Sequence, residues 1–258
     1  MRTIIRALLV GSVCALAAGS AHAQGGYIWT LGVSVEAAPA YEGASHYSAL
    51  PLPVIRLRNP DRPYRFVPPD DGFELALVDS DIISLGPVGR FQGSRDNKGS
   101  LAGMEKIDWA GELGAFVDIW ATEWLRAHVE IRKGVTGHDG WVGDAGLDFI
   151  YTGRGWDFSA GPRVGYGDAS YRNTYFGVTP AETFTSPYFK SVYTPGGGLR
   201  YYGAETALSF QLTRAWQTIF DVGYHSLDSD LADSPIVKLD GSQDQWNAGV
   251  TVTYTFGQ

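Results

Sequence analysis

The stretch near the C-terminus, residues 246–256, constrains the fold of this chain more than any other. Every second residue is apolar or aromatic, and small or polar residues fill the positions between. Strict alternation puts the two sets on opposite faces of a β-strand. About 9–11 residues of tilted strand cross a bilayer core, and the aromatic ends (Trp246, Tyr254, Phe256) are typical of barrel girdles. A strand of a soluble β-sandwich is the alternative for this stretch alone.

The N-terminus predicts an exported protein. Arg2 and Arg6 precede a short apolar run, residues 7–18, which is followed by Ala21-His22-Ala23. This order is typical of a secretory signal peptide, with cleavage expected after Ala23. We therefore predict a signal peptide at 1–23 and one barrel domain at 24–258. The only cysteine, Cys14, lies in the signal, so no disulfide, thiolate catalysis or cysteine zinc site is expected in the mature chain.

Charge and composition limit the possible fold and function classes of the chain. The formal net charge is −8, and removing Arg2 and Arg6 leaves −10. Nucleic-acid binding, which needs a basic patch, is therefore not predicted. Apart from the signal, no apolar run approaches the 18 residues of a membrane-spanning helix. The 33 glycines and 13% aromatic residues, with little helical periodicity, predict an all-β chain.

Alternation and turn residues predict an antiparallel up-and-down β-barrel of twelve strands. The strands are 27–37, 48–57, 64–67, 73–78, 82–91, 109–119, 124–134, 141–151, 156–166, 196–212, 216–226 and 246–256. A bulge is expected near Gly203 in the longest strand. Ten strands is the alternative, in which the weak pair around Pro68 is a loop.

The connections between these strands sort by length. The turns 58–63, 79–81, 121–123, 152–155 and 213–215 alternate with the loops 38–47, 69–72, 92–107, 135–140, 167–195 and 227–244. Short periplasmic turns and longer outer loops are typical of outer-membrane barrels, and a soluble sandwich gives no reason for this sorting. The even strand count places both termini in the periplasm. Whether loop 167–195 enters the lumen stays open.

The charged face of the strands is expected to line the lumen. A charge on the lipid face costs about 2–4 kcal/mol at the membrane midplane, so the apolar face must meet lipid. The predicted lumen residues are Glu112, Asp118, Arg126, His128, Glu130, Arg132, Asp144, Asp148, Asp157 and Arg163. Charges of both signs in a confined space should pair. We predict a largely occluded, ion-paired interior and not a wide pore.

Several short motifs, taken together and in order, resemble the MltA-interacting protein family, also called MipA/OmpV. They are Pro39, Tyr41-Glu42-Gly43, Ser45, Tyr47, Pro51 and Pro53; His138-Asp139-Gly140; Tyr175-Phe176-Gly177-Val178-Thr179 with Ser186; and Asp233-Ser234-Pro235-Ile236. The resemblance covers nearly the whole mature chain. Gly257 and Gln258 depart from it, because members more usually end at the aromatic residue.

The resemblance implies an outer-membrane barrel. We expect neither enzymatic activity nor a cofactor. For one branch the resemblance implies a scaffold that joins a murein-degrading lytic transglycosylase to a murein synthase. Other branches are described as porin-like, osmotic-response or antigenic surface proteins. A narrow channel for small solutes therefore remains an alternative function.

Motifs for catalysis are absent from the sequence. It has no G-x-S-x-G elbow, no H-E-x-x-H and no phosphate-binding loop. A lipid-acting barrel enzyme would need a serine paired with a histidine, for which His128 and His225 are candidates. Hydrogen-bonded lumen histidines are the simpler interpretation of both residues.

Two features of the long loops have alternative interpretations. Asp228, Asp230 and Asp233 could bind calcium, but they lack the remaining ligands of an EF-hand loop and suit a solvated surface. Tyr175 and Phe176 could bind a partner or fold into a pore, or they could pack their loop down as a lid. No metal site is predicted from the sequence.

Overall fold

Twelve antiparallel strands form the structure, a computed structural model that describes residues 27–256. The strands are β1 (Ile28–Pro39), β2 (Tyr47–Arg58), β3 (Phe73–Glu74), β4 (Val78–Asp79), β5 (Ile83–Gln92), β6 (Ala110–Thr122), β7 (Leu125–Gly134), β8 (Trp141–Thr152), β9 (Trp156–Gly167), β10 (Gly198–Gln211), β11 (Trp216–Leu227) and β12 (Asp244–Phe256). The predicted all-β barrel fold and the count of twelve are confirmed.

The first and last long strands of the chain pair with each other inside one sheet. β12 pairs with β1 over nine residues, with Val33 opposite Val252, while β1 also pairs with β2. The remaining long strands pair with their sequence neighbours, and β3 and β4 both pair with β5. The two ends of the sheet are thus β2 and the short β3–β4 pair. These ends are not paired with each other, so the barrel is nearly but not fully closed. Pro51 and Pro53 in β2 lack an N–H group, which suits a strand at a sheet end.

The burial pattern of the barrel wall is that of a protein in lipid. In β7 the charged residues Arg126, Glu130 and Arg132 are buried, while Val129 and Ile131 are more than half exposed. Charges that point inward and apolar side chains that point outward are stable only if the outer surface meets hydrocarbon. Aromatic clusters lie at both ends of the wall, including Trp216–Tyr254–Phe256 and Tyr224–Trp246.

One predicted strand is wrong, and the correction changes the picture of the lumen. Residues 64–67 form no strand; they belong to a segment, residues 59–72, that rises through the barrel interior from the end of β2 to the start of β3. We call it the inserted segment. Residues 69–72, predicted as an outer loop, are its last part. The predicted strand 73–78 is reduced to β3 and β4, which the structure separates by residues 75–77.

The other connections follow the predicted sorting by length. Short turns at 80–82, 123–124, 153–155 and 212–215 lie at one end of the barrel, here called the turn end. Longer loops at 40–46, 93–109, 135–140, 168–197 and 228–243 lie at the opposite, loop end. The bulge in β10 falls between Leu199 and Tyr201, opposite β9, and not near Gly203 as predicted.

The five loops form a compact cap over the loop end. It carries four short α-helices, α1 (Ala169–Phe176), α2 (Pro180–Thr185), α3 (Ser229–Ala232) and α4 (Pro235–Asp240), and a 3₁₀ helix at Gly99–Leu101. Local sequence starts each helix: Thr179 and Glu182 form a capping box around Pro180, and the Ser234 side chain caps the helix that begins at Pro235.

None of the helices in residues 27–256 has the length and apolar character needed to cross a membrane. The predicted signal peptide, residues 1–23 with Cys14, lies outside the described residues, as do Gly257 and Gln258. The signal peptide and its cleavage stay predictions.

Candidate functional site

The interior of the barrel is the candidate site. It contains two ion-pair clusters, and the one nearer the turn end is centred on Arg126. This guanidinium is fully buried and contacts three carboxylates, those of Asp71 (2.6 Å), Asp118 (2.7 Å) and Asp148 (3.0 Å). The carboxylate of Asp148 also accepts from Arg163 at 2.6 Å. Strands β6, β7, β8 and β9 are thereby tied together inside the lumen by charge-assisted hydrogen bonds.

A second cluster, nearer the loop end, is centred on Arg132 and Asp144. Arg132 contacts Glu112 at 2.7 Å and Asp144 at 2.5 Å, and it also pairs with Glu130. Asp144 accepts in addition from Arg200 at 2.6 Å. Each charge of this cluster has at least one partner of opposite sign, as a buried network requires.

His128 joins the first cluster through Asp118 at 2.8 Å, so the two clusters contain nine of the ten predicted lumen residues. The tenth, Asp157, lies nearer the turn end and accepts hydrogen bonds from Tyr64 (3.2 Å) and Ser209 (2.9 Å). Sequence reasoning missed Arg90 and Arg200, which pair with Glu130 and Asp144. Strand alternation could have identified both residues as inward-facing, because Arg90 is next to the outward Phe91 and Arg200 is next to the outward Leu199.

The inserted segment fills the lumen beside these clusters. Asp70 binds Arg163 through two hydrogen bonds of 2.7 and 3.2 Å, and Asp71 binds Arg126. Nearer the turn end, Phe66 is 2% exposed and packs in an apolar core. Its neighbours in that core are Trp120, Ile150, Ala207 and Ile219. The segment is therefore anchored by ion pairs near its junction with β3 and by apolar contacts nearer the turn end.

A cavity of about 710 Å³ occupies the other side of the lumen. Its wall includes Leu52 and Arg56 of β2, Glu205 of β10 and the inserted segment, and it extends from Gln217 near the turn end to Glu42 beneath the cap. The predicted occluded, ion-paired interior thus describes the β5–β9 side, while the β10–β2 side keeps room for water or a small solute.

Three of the motifs that carry the family resemblance meet in the cap. The Ser234 hydroxyl donates to the carbonyl of Phe176 at 2.7 Å, and the Tyr171 hydroxyl donates to Glu42 at 2.6 Å. The motif positions concerned are Tyr41, Glu42 and Gly43; Tyr175, Phe176, Gly177 and Val178; and Asp233, Ser234 and Pro235. Several of these side chains form the cap's two apolar cores.

The aromatic residues of α1 lie under the cap as a seal. Tyr175 and Phe176 are fully buried, as is Tyr171, so loop 167–195 covers the lumen with these side chains. Burial raises the pKa of the Tyr171 and Tyr175 phenols, with the nearby Glu42 carboxylate as a further cause. Both phenols therefore stay neutral.

The remaining candidates of the sequence take structural positions. His128 Nδ1 lies 2.8 Å from Asp118, and His225 Nε2 lies 3.2 Å from Glu205; no serine hydroxyl in residues 27–256 hydrogen-bonds to either ring. In the last long loop, Asp228 caps α3 and Asp233 pairs with Lys238 at 2.8 Å. Asp228 and Asp233 thus serve the cap's own structure.

Known proteins resemble this chain in a family model, in sequence and in structure. The model of a family described as "MltA-interacting protein MipA" matches residues 31–256. The outer membrane protein OmpV of Vibrio cholerae is 27% identical over 189 residues, and the outer membrane protein Omp26La of Vibrio anguillarum is 25% identical over 179 residues; each match covers 68% of this chain and 67% of the relative. Among solved structures, an outer membrane channel of Pseudomonas putida F1 matches with a TM-score of 0.42 and 11% identity, over 92% of this chain and 98% of that one.

Proposed function

We propose that this chain, which belongs to the MltA-interacting protein MipA family and is an outer-membrane β-barrel, is a non-enzymatic scaffold. In this proposal its periplasmic end binds a murein-degrading lytic transglycosylase and brings it together with a murein synthase. The family's description names an interaction with MltA, which supports the first partner. The synthase is the further step that the family resemblance implies.

The observation that carries the proposal is the sealed interior. The cap covers the loop end with fully buried aromatic side chains, and the inserted segment and two ion-pair clusters fill one side of the lumen. A barrel with this much of its interior built as fixed structure is better suited to presenting a surface than to passing solute. The turn end is then the surface available to a periplasmic partner.

The inserted segment enlarges that surface. Turns of two to four residues offer little area, but the segment begins at the turn end, where Pro60, Asp61 and Tyr64 are exposed. Arg62 and Asp81 form an ion pair of 2.9 Å beside them, which links the start of the segment to the β4–β5 turn. We expect the partner to contact this corner and the neighbouring turn that carries Glu123.

The test is a binding measurement with purified barrel and purified lytic transglycosylase in detergent. A charge-reversed variant of the turn end, Asp61→Lys with Glu123→Lys, is compared with a matched variant of the loop end, Asp96→Lys with Glu105→Lys. All four side chains are exposed, and each pair changes the net charge equally. We expect the turn-end variant to bind about tenfold more weakly or worse, a loss of about 1.4 kcal/mol, with the loop-end variant unchanged.

Two results would overturn the scaffold proposal. One is failure of the wild-type barrel to bind the transglycosylase, and the other is equal binding by both variants. Addition of the murein synthase then tests the second partner, because a scaffold retains both enzymes in one complex during gel filtration.

The cavity favours a second candidate function, a narrow channel or a binding chamber for a small solute. Its wall carries both signs, with Arg56 and Arg58 on β2 and Glu36 and Glu205 on β1 and β10. A solute would have to pass the cap at the loop end, so this function requires the cap to open. Ion conductance across a planar bilayer distinguishes it from the scaffold.

A further inference from the structure

Three side chains from different parts of the interior converge where the inserted segment joins β3. His128 Nε2 of β7 lies 3.7 Å from Asp71 Oδ1 and 3.7 Å from Glu74 Oε1. All three atoms lie within 4.8 Å of one another. We propose that they bind a divalent transition-metal cation, of which Zn²⁺ is the probe used below.

The facing atoms lack other partners. Glu74 Oε1 and His128 Nε2 are both buried and form no hydrogen bond to any residue of the described range 27–256. The His128 side chain is only 8% exposed. Buried polar atoms are normally hydrogen bonded, so a carboxylate oxygen and an imidazole nitrogen that face each other at 3.7 Å without other partners leave a place for a cation.

The other ring nitrogen, Nδ1, has a carboxylate behind it, a partner common to metal-binding histidines. His128 Nδ1 lies 2.8 Å from Asp118 Oδ1 and 3.0 Å from Arg126 Nη2, and Arg126 in turn contacts Asp118 at 2.7 Å. If Nδ1–H donates to this carboxylate, the lone pair of Nε2 points toward Asp71 and Glu74. A carboxylate behind the imidazole orients the ring and raises its basicity as a ligand.

The local charge also leaves room for two positive charges. Five carboxylates surround the site, and the cations nearest to them are three guanidiniums. The carboxylates are Asp70, Asp71, Glu74, Asp118 and Asp148, and the guanidiniums are Arg126, Arg163 and Arg56. With His128 neutral, this set carries an excess of two negative charges, which a divalent cation would balance.

The site is accessible and has a suitable donor set. Asp71 and Glu74 line the cavity, so a hydrated ion can reach them from the lumen. One imidazole nitrogen and two carboxylate oxygens are ligands that Zn²⁺ accepts, with water completing the coordination. The ion would join the inserted segment and β3 to β7, and so fasten the segment to the barrel wall.

The experiment uses the untagged full barrel, refolded in detergent and stripped with EDTA. Zn²⁺ binding is measured by isothermal titration calorimetry, and Co²⁺ binding by visible absorption. The variants are His128→Gln and, in case that change prevents folding, Glu74→Gln. His225→Gln is the matched control, because His225 is also a lumen histidine beside a carboxylate, Glu205, but lies outside the site.

We expect one Zn²⁺ per wild-type chain, the same in His225→Gln, and affinity at least about tenfold weaker in His128→Gln and Glu74→Gln. Zn²⁺ should raise the melting temperature of the wild type and the control but not of the site variants. No Zn²⁺ binding by the wild type, or equal binding by all the variants, would overturn the proposal. Those results would assign the contact to a protonated His128 between the two carboxylates.

Discussion

At the scale of single residues, the lumen depends on guanidinium groups that each hold several carboxylates. Arg126 is 0% exposed and pairs with three aspartates, so its removal leaves three buried charges without their shared partner. Breaking a buried ion pair from one side costs about 3–5 kcal/mol.

We therefore expect Arg126→Met to lower the free energy of unfolding by about 3–5 kcal/mol. Urea unfolding in detergent micelles, followed by tryptophan fluorescence, measures the change. Arg214→Met in the exposed β10–β11 turn is the control and should change stability by no more than about 0.5 kcal/mol. Equal stability of the two variants would contradict the ion-pair account of the lumen.

The cap depends on a glycine at its first loop. Gly43 has a φ of +92°, and a Cβ atom there would lie 3.0 Å from the Phe176 ring and 3.1 Å from Val237. Gly155, in the β8–β9 turn, has a similar φ of +82°, but a Cβ there meets nothing within 4 Å. The two positions therefore separate backbone strain from crowding in the cap.

We expect Gly155→Ala to cost only the strain of a left-handed conformation, about 1–2 kcal/mol, and Gly43→Ala to cost more. Limited proteolysis should also cut the long loops of Gly43→Ala faster, because the methyl group pushes Phe176 out of the cap core. Identical stability and identical cleavage of the two variants would show that Gly43 does not crowd the cap.

At the scale of elements, sequence alternation predicts the ten long strands well and the path between β2 and β3 poorly. The long strands are dictated by lipid, which requires apolar residues on one face of every strand. Residues 64–67 also alternate, but Pro63, Pro68 and Pro69 beside them cannot donate to a sheet. Inside the lumen the lack of strand pairing is tolerated, because side-chain hydrogen bonds hold the segment instead. Arg65 donates to the carbonyls of Ser80 and Asp81, and Asp70 accepts from Arg163.

The candidate site, like the fold, was predictable where it lies on long strands and not where it lies on the inserted segment or the cap. Alternation in β6–β9 indicates which charges point inward, and the structure brings nine of the ten residues into two clusters. Asp70, Asp71 and Glu74 could not be assigned this way, since their position depends on the inserted segment and not on strand parity. The cap cores likewise depend on contacts between loops far apart in sequence.

The position of the inserted segment can be tested by cysteine labelling, since residues 24–258 contain no cysteine. We expect Phe66→Cys to resist a polar maleimide in the folded barrel, because Phe66 is 2% exposed. Glu123→Cys, at an exposed turn, should react rapidly, and both should react fully in urea. Equally fast labelling of the two folded variants would remove residues 64–67 from the lumen core.

At the scale of the whole molecule, the barrel combines a cap, a filled half-lumen and a cavity. The cap seals the loop end, while the inserted segment adds surface at the turn end, where a periplasmic partner would bind. Cap and inserted segment both oppose free passage of solute, and the scaffold proposal rests on that closure. The cavity becomes a pathway only if the cap moves.

The most direct measurement of this closure is the ionic current through the purified wild-type barrel in a planar bilayer. An open porin reconstituted in the same way confirms that insertion and detection work. We predict that the wild-type barrel inserts without stable conductance steps, because the cap and the inserted segment block a continuous path. Stable, reproducible steps from the wild-type barrel would contradict the sealed interior and would favour the channel function over the scaffold.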